Sequence, residues 1–351
     1  MKSFTYTGSP ARIVFGSGRS NDVASSVEAL GCKQALVLAT PHQKSDAEAL
    51  SERLGALSVG VFSGAVMHTP VEVTETALKV VAETGADCVV SLGGGSTTGL
   101  GKAIAYRTDL PQVVIPTTYA GSEVTPILGQ TEAGRKTTVR NASILPEVVI
   151  YDPDLTLGLP VAMSVTSGLN AMAHAVEGLY AQDRNPVSTL MALDGLRAFR
   201  DSLPVLVKNP EDPDARAEAL YGAWLCGTVL GTVGMALHHK ICHTLGGSFD
   251  TPHAETHAVM LPHTAAFNAE AAKTELAAAA ELFGGSIAGG LWDFAKSIGA
   301  PLSLKDFGLS EADLDRAADI AVENPYWNPR PIDRTSIRAL LQKAWEGVRP
   351  D

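Results

Sequence analysis

The sequence predicts an α/β N-terminal dinucleotide-binding domain with a parallel sheet over residues 1–157 and an all-helical C-terminal domain over residues 158–351. Three observations predict this. Apolar strand segments alternate with amphipathic helices through the first half, the pattern of a parallel sheet covered on both faces. A glycine run, Gly93-Gly94-Gly95-Ser96, closes one of those strands. After Tyr151-Asp152-Pro153 the strand signal gives way to long helical periodicities.

The elements follow in order. Gln34 to Ala39 reads as a buried strand, and Ser45 caps a helix through Leu54. Leu57 to Phe62 is a second strand, and Val71 to Thr84 a helix with apolar residues at helical spacing. Asp87 to Leu92 is a third strand, running into the glycines. A helix from Leu100 to Arg107 leads to the strand Gln112–Pro116. In the second half, helices are predicted over Gly168–Ala181, Val187–Ser202, Ala215–Leu230 and Ala269–Leu282, separated by turn clusters such as Asn209-Pro210-Glu211-Asp212-Pro213.

Composition narrows the function. A net charge of −11 argues against a nucleic-acid partner, which wants a basic face. No apolar run approaches the roughly 20 residues of a membrane span. Met1 to Tyr6 shows no apolar core and no cleavage site, so no signal peptide is expected. Cys32, Cys88, Cys226 and Cys242 are scattered and form no framework, which predicts a reducing, cytoplasmic setting.

Gly93-Gly94-Gly95-Ser96 stands between a buried strand and a helix. Without Cβ atoms the backbone can approach a phosphate closely, and a helix N-terminus supplies free N–H groups. The run is neither GxGxxG nor a P-loop, and a glycine triplet alone is equally a tight turn. A second loop shifts the balance. Pro116-Thr117-Thr118-Tyr119-Ala120-Gly121-Ser122-Glu123 follows the next strand and is rich in hydroxyls. Two such loops at the carboxyl ends of parallel strands form a nucleotide crevice. Thr117, Thr118 and Ser122 therefore join Gly93, Gly94, Gly95 and Ser96 as expected cofactor contacts.

The helical half carries Asn170 with His174, and His239 with His243, each at i, i+4 and so on one helix face. His253 follows in the turn Thr251-Pro252-His253. A single histidine is more often a satisfied core or surface group, but this set resembles a divalent-metal site. His238, His257 and His263 are read as structural neighbours.

These motifs resemble the iron-containing alcohol dehydrogenase superfamily over nearly the whole chain. The likeness rests on Gly93 to Ser96 through Lys102, Pro116-Thr117-Thr118 with Gly121-Ser122-Glu123, Gly168-Leu169-Asn170-Ala171 with His174, and His239 through Pro252-His253. It implies a dehydroquinate synthase-like fold with an active site in the cleft between the domains. It also implies metal-ligand positions at Asn170, His174, His239 and His253, with His243 near the nicotinamide.

Three departures matter. Metal-dependent members have an aspartate where this chain has Asn170, so a cation would lose its anionic ligand, and no metal is expected. Gly99 stands where the family usually has an aspartate. Thr40-Pro41 follows the strand ending at Ala39, where many NAD-preferring members place an aspartate on the ribose. Thr40 is thus a cofactor contact that leaves NADH expected and NADPH also acceptable.

Within the superfamily the combination resembles the maleylacetate reductase branch, as does Asn324-Pro325-Tyr326-Trp327-Asn328-Pro329-Arg330-Pro331. The branch implies NAD(P)H-dependent reduction of the conjugated C=C bond of maleylacetate to 3-oxoadipate, in aromatic-compound catabolism. It makes His243, His253, His239, His174 and Asn170 the catalytic set. The small dicarboxylate substrate asks for donors or cations, with Tyr119, Lys240 and Arg330 as candidates and Arg135 and Lys136 as further cations. An edge strand at Arg12 to Gly16 suggests a homodimer. The alternatives are a metal-dependent alcohol or aldehyde oxidoreductase, a dehydroquinate synthase-type lyase, and a non-catalytic nucleotide-binding protein.

Overall fold

The structure is a computed structural model that describes residues 4–8, 11–132 and 135–351. It divides into two compact units, Gly8–Leu159 and Pro160–Asp351, the second joined by residues 4–7.

The first unit is built on six strands: β1 (Arg12–Phe15), β2 (Ala35–Leu38), β3 (Ser58–Phe62), β4 (Cys88–Gly93), β5 (Gln112–Pro116) and β8 (Val148–Tyr151). Their order is β1-β8-β5-β4-β2-β3, and every pairing is parallel. The apolar runs sort by alternation. Ala35 and Val37 of β2 join one core with Val90, Leu92, Val113, Ile115 and Ile150. Leu36 and Leu38 join the core on the other face with Val89, Leu100 and Ile104. A sheet covered on both faces needs such unbroken apolar strands.

Among the described residues, four α-helices belong to this unit: α1 (Val23–Ala29), α2 (Lys44–Leu54), α3 (Val71–Thr84) and α4 (Gly95–Thr108). From β2 the chain steps outward to β3, then returns across to β4 and continues through β5 to β8. The direction of winding therefore reverses between β2 and β4, which is where open α/β sheets bind ligands.

Several helix starts differ from the sequence expectation. In the second unit, the helix expected from Gly168 begins at Val161, and the one expected from Ala269 begins at Lys273. Helix α4 starts at the third glycine instead of at Leu100, because Thr97, Thr98 and Gly99 are buried and packing overrides weak helix propensity. Helix α2 starts at Lys44, directly after a 3-10 turn at Pro41–Gln43, so Ser45 lies inside the first turn and is not the cap. An antiparallel hairpin, β6 (Ile127–Glu132) with β7 (Arg135–Arg140), was not expected.

The second unit is helical among the described residues: α5 (Val161–Tyr180), α6 (Pro186–Lys208), α7 (Pro213–Thr232), α8 (Leu237–Phe249), α9 (His253–Asn268), α10 (Lys273–Leu282), α11 (Ile287–Ser297), α12 (Asp313–Val322) and α13 (Arg334–Glu346). Proline at N1 and a side-chain cap start α6 and α7: Asn185 forms a capping box with Ser188, and the Asp212 carboxylate accepts from Ala215 N. Helix α5 is buried continuously from Ser164 to Tyr180. A helix enclosed all round must find partners for any polar group it carries, and α5 carries Asn170, His174 and Glu177.

Candidate active site

The cradle in the first unit is assembled from the loops that follow β2, β4 and β5. Gly93 has φ +149°, and a Cβ there would lie 2.5 Å from Thr97 Oγ1 and 2.8 Å from Gln43 Oε1. A Cβ on Gly94 would lie 2.7 Å from Thr118 Cγ2, whereas Gly95 faces open space. Gly94 caps α4 without a side chain, so the helix N-terminus offers backbone N–H groups and its positive dipole end.

Two contacts tie the loops together, and a third braces the loop after β2. Thr117 N donates to Gly93 O at 3.1 Å. Gln43 Nε2 donates to Thr117 Oγ1 at 3.1 Å, and Thr40 Oγ1 donates to Gln43 Oε1 at 3.5 Å. Glycines, hydroxyls and a helix N-terminus on one strand edge suit a pyrophosphate. Gln43 is the member that sequence reading missed, since a lone glutamine after Pro41 matches no motif.

Gly99 has a steric explanation. A Cβ there would sit 2.3 Å from Thr69 Oγ1, on a residue itself held at φ +46°. An aspartate at this position would force the Thr69 side chain to move. Ser122 is engaged within the protein. The fully buried Lys102 ammonium donates to Ser122 O, to Ser122 Oγ at 3.2 Å, to Thr125 Oγ1 at 2.9 Å and to Ile127 O at 2.9 Å. Burial lowers Lys102 to about 7, with the nearby Glu123 opposing it. Tyr119 is completely enclosed in this unit. Arg135 and Lys136 fall in β7, and their side chains lie outside the described residues.

In the second unit the histidines converge. His174 on α5 and His239 on α8 have ring centroids 5.2 Å apart. His243, one turn on from His239, has its ring 6.0 Å away, and its Nδ1 is 3.3 Å from Tyr326 OH. His253 opens α9 instead of sitting in a turn, and its ring lies 4.5 Å from that of His257. His257 in turn lies 5.1 Å from His239. So His257 and His238, expected to be bystanders, are packed into the cluster.

Glu177 anchors this arrangement. One turn beyond His174 on α5, its Oε2 accepts from His239 Nδ1 at 2.6 Å and from Ala236 N at 3.0 Å. Its Oε1 accepts from His238 N at 2.7 Å. The carboxylate thus satisfies backbone donors at the start of α8 and leaves His239 with its lone pair on Nε2. The signal was present as a third polar residue on the Asn170–His174 face. In the sequence Tyr326 stands out only as part of the Asn324–Pro331 motif. It is held by the neighbouring Asn328, whose amide exchanges hydrogen bonds with that of Asn268 at 2.7 and 2.9 Å.

Four buried polar atoms of the cluster have no hydrogen-bond partner: Asn170 Oδ1, His174 Nδ1, His239 Nε2 and His257 Nε2. Buried polar groups are normally paired, so a group of orphans marks a place that a ligand completes. Burial first, and then the neighbouring imidazoles, push His174, His238 and His257 well below the ordinary histidine range. Lys240 is half-buried on a different face of α8 from His239. Arg330 lies elsewhere: it donates to Phe267 O, stacks 4.1 Å over the Phe267 ring, and lines a cavity of about 410 Å³ with His263 and Lys343. None of His174, His239, His243 and His253 lines that cavity.

Two family models cover the chain. Residues 10–153 match the iron-containing alcohol dehydrogenase model, and residues 164–345 match the C-terminal model of the Fe-containing alcohol dehydrogenase family. The chain belongs to the iron-containing alcohol dehydrogenase family. Membership implies a bound NAD(P) dinucleotide, and the glycine cradle fits one. The chain is 65% identical to maleylacetate reductase of Rhizobium sp. (strain MTP-10005) and 53% identical to that of Burkholderia cepacia, each over 100% of both chains. Its fold matches the crystal structure of maleylacetate reductase from Agrobacterium tumefaciens with a TM-score of 0.98, at 66% identity and full coverage of both chains.

The family also implies a metal, for which the expected positions supply neutral donors only. Asn170, His174, His239 and His253 offer an amide oxygen and three imidazoles, with no anionic donor to offset the charge of a divalent cation. Among the described residues, two trios of His, Cys, Asp and Glu bring their ligand atoms within 4.8 Å of one another, and neither contains His174, His239 or His253.

Proposed function

We propose that this chain reduces the conjugated C=C bond of maleylacetate to give 3-oxoadipate, using NADH and also accepting NADPH, without a metal. The observation that carries this is the histidine cluster itself. It keeps four orphaned polar atoms and the Glu177–His239 bond while offering no anionic metal ligand.

A nicotinamide held by these loops would supply the hydride for the alkene carbon β to the ketone. The protein must then hold the negative charge that develops on the ketone oxygen and deliver one proton to the carbon between them. An alkoxide, the product of simple ketone reduction, is a strong base for which a Lewis acid is well suited. An enolate is a weaker base that hydrogen-bond donors can hold. His243, braced by Tyr326, and His253 supply the donor and the proton; imidazole suits both tasks. Asn170, His174 and His239 line the same space. Gly93 to Ser96, Thr117, Thr118 and Thr40 hold the dinucleotide, with Gln43 bracing the two threonine loops.

NADH oxidation with maleylacetate as sole acceptor tests the reading. Turnover should survive exhaustive chelation, and His243→Ala and His253→Ala should lower kcat strongly while dinucleotide binding persists. Loss on chelation with rescue by Fe²⁺ or Zn²⁺ would support metal-dependent alcohol chemistry instead. The four cysteines are free and buried, which supports a cytoplasmic setting. The edge position of β1 supports pairing into a homodimer.

A further inference from the structure

Thr264, His238 and His257 form a hydrogen-bond chain whose direction can be read from its closed end. Thr264 Oγ1 lies 2.9 Å from Met260 O and 3.1 Å from Leu261 O, both carbonyls of its own helix. A carbonyl can only accept, so the single hydroxyl proton of Thr264 is used there. With that proton directed to the helix carbonyls, the 2.9 Å contact between Thr264 Oγ1 and His238 Nδ1 is donated by the histidine. That places the proton of a neutral His238 on Nδ1 and a lone pair on Nε2. His238 Nε2 lies 2.9 Å from His257 Nδ1, so His257 is the donor there and carries its proton on Nδ1. Its Nε2 is left as a lone pair, buried and without a partner. Cys242 Sγ, 3.6 Å from His238 Nε2, adds a weak second donor and the same polarity.

We infer that this chain is a positioning device. Thr264 and His238 fix His257 in the Nδ1–H tautomer and leave its Nε2, unpartnered in this structure, to accept from His253 when substrate binds; His253 is the closest of the rings described around it, 4.5 Å between centroids. The chain ends on helix carbonyls, so it cannot pass a proton onward and is not a relay. An acceptor behind a histidine fixes which ring nitrogen is the donor and which way the imidazole faces. Such bonds are often long before substrate binds and tighten in the complex. This inference rests on the proposed role of His253. The tautomer prediction stands without it.

The test uses the full-length protein labelled with ¹⁵N-histidine. Two-bond ¹H–¹⁵N correlation spectra, assigned with His238→Gln and His257→Gln, should show both rings as Nδ1–H tautomers. Thr264→Ser should keep that pattern and wild-type turnover. Thr264→Val should lose the pattern and lower kcat at least 10-fold with KM for maleylacetate within about 3-fold, in line with the loss of an orienting partner. His257→Asn, whose amide can replace Nδ1 but not Nε2, should lower kcat more than His257→Gln, whose amide oxygen reaches the Nε2 position. An Nε2–H tautomer at His257, or Thr264→Val at full kcat, would overturn the inference. The expected tautomers in a protein that does not turn over maleylacetate would instead overturn the functional reading and leave the hydrogen-bond chain standing.

Discussion

Glu177 Oε2 and His239 Nδ1 are 2.6 Å apart, both buried, and the same carboxylate takes the backbone N–H groups of Ala236 and His238. One side chain on α5 therefore sets the start of α8, the rotamer of His239 and the position of its lone pair. Removing it strands three buried donors. Glu177→Ala should lower kcat by about 10–100-fold and also lower the melting temperature. Glu177→Gln, which keeps an acceptor, should lose less of both. Steady-state kinetics beside thermal unfolding checks this. An alanine variant with full activity would remove Glu177 from the site.

Gly94 is confined by Thr118. Its alanine variant would push a methyl group to within 2.7 Å of Thr118 Cγ2 and 3.1 Å of Thr118 Oγ1. The threonine must move, and with it a wall of the cradle. Gly94→Ala should weaken NADH binding by at least about 10-fold, near 1.4 kcal/mol, with little change in stability. Titration of protein fluorescence with NADH reads the affinity.

In the proposed cofactor position, Thr40 leaves the 2′ position without a carboxylate neighbour in the loop after β2. The kcat/KM values for NADH and NADPH should therefore fall within about 10-fold of each other. Thr40→Asp should depress the NADPH value by a further 10-fold or more through charge repulsion and leave the NADH value nearly unchanged. Equal losses with both cofactors would move Thr40 out of contact with that position.

Lys102 gives a pH signature in stability. Its pKa falls from 10.5 in the unfolded chain to about 7 in the folded protein. Between those values the unfolded chain binds the proton that the folded protein does not, so stability from this group rises with pH across that window and is lowest below about pH 7. Urea unfolding should show a slope near ~1 kcal/mol per pH unit in wild type relative to Lys102→Met. Parallel profiles would show that the ammonium stays charged, stabilised by its four oxygen contacts.

The sequence made the repeating parts of this molecule legible. Strands such as Gln112–Pro116 and helix Val71–Thr84 follow from local periodicity, and the i, i+4 pairs put His174 beside Asn170 and His243 beside His239 because helix geometry is regular. What stayed hidden depends on contacts between distant residues. Glu177 reaches His239 across 62 residues, and Gln43 reaches Thr117 across 74. No local pattern distinguishes His257 from a surface histidine; only the packing of α9 on α8 brings its ring to His238 and His239. The hairpin of β6 and β7 was missed because Thr131, Thr137 and Thr138 interrupt its apolar alternation with polar residues.

Isotope placement reads directly which bond receives the hydride. With NADH deuterated at the transferred position of C4 and maleylacetate as acceptor, the product should be a ketone, 3-oxoadipate. Its deuterium should sit on the former alkene carbon β to the ketone. Deuterium on a carbinol carbon, in a hydroxy acid that keeps its alkene, would contradict conjugate reduction and return the chain to carbonyl reduction.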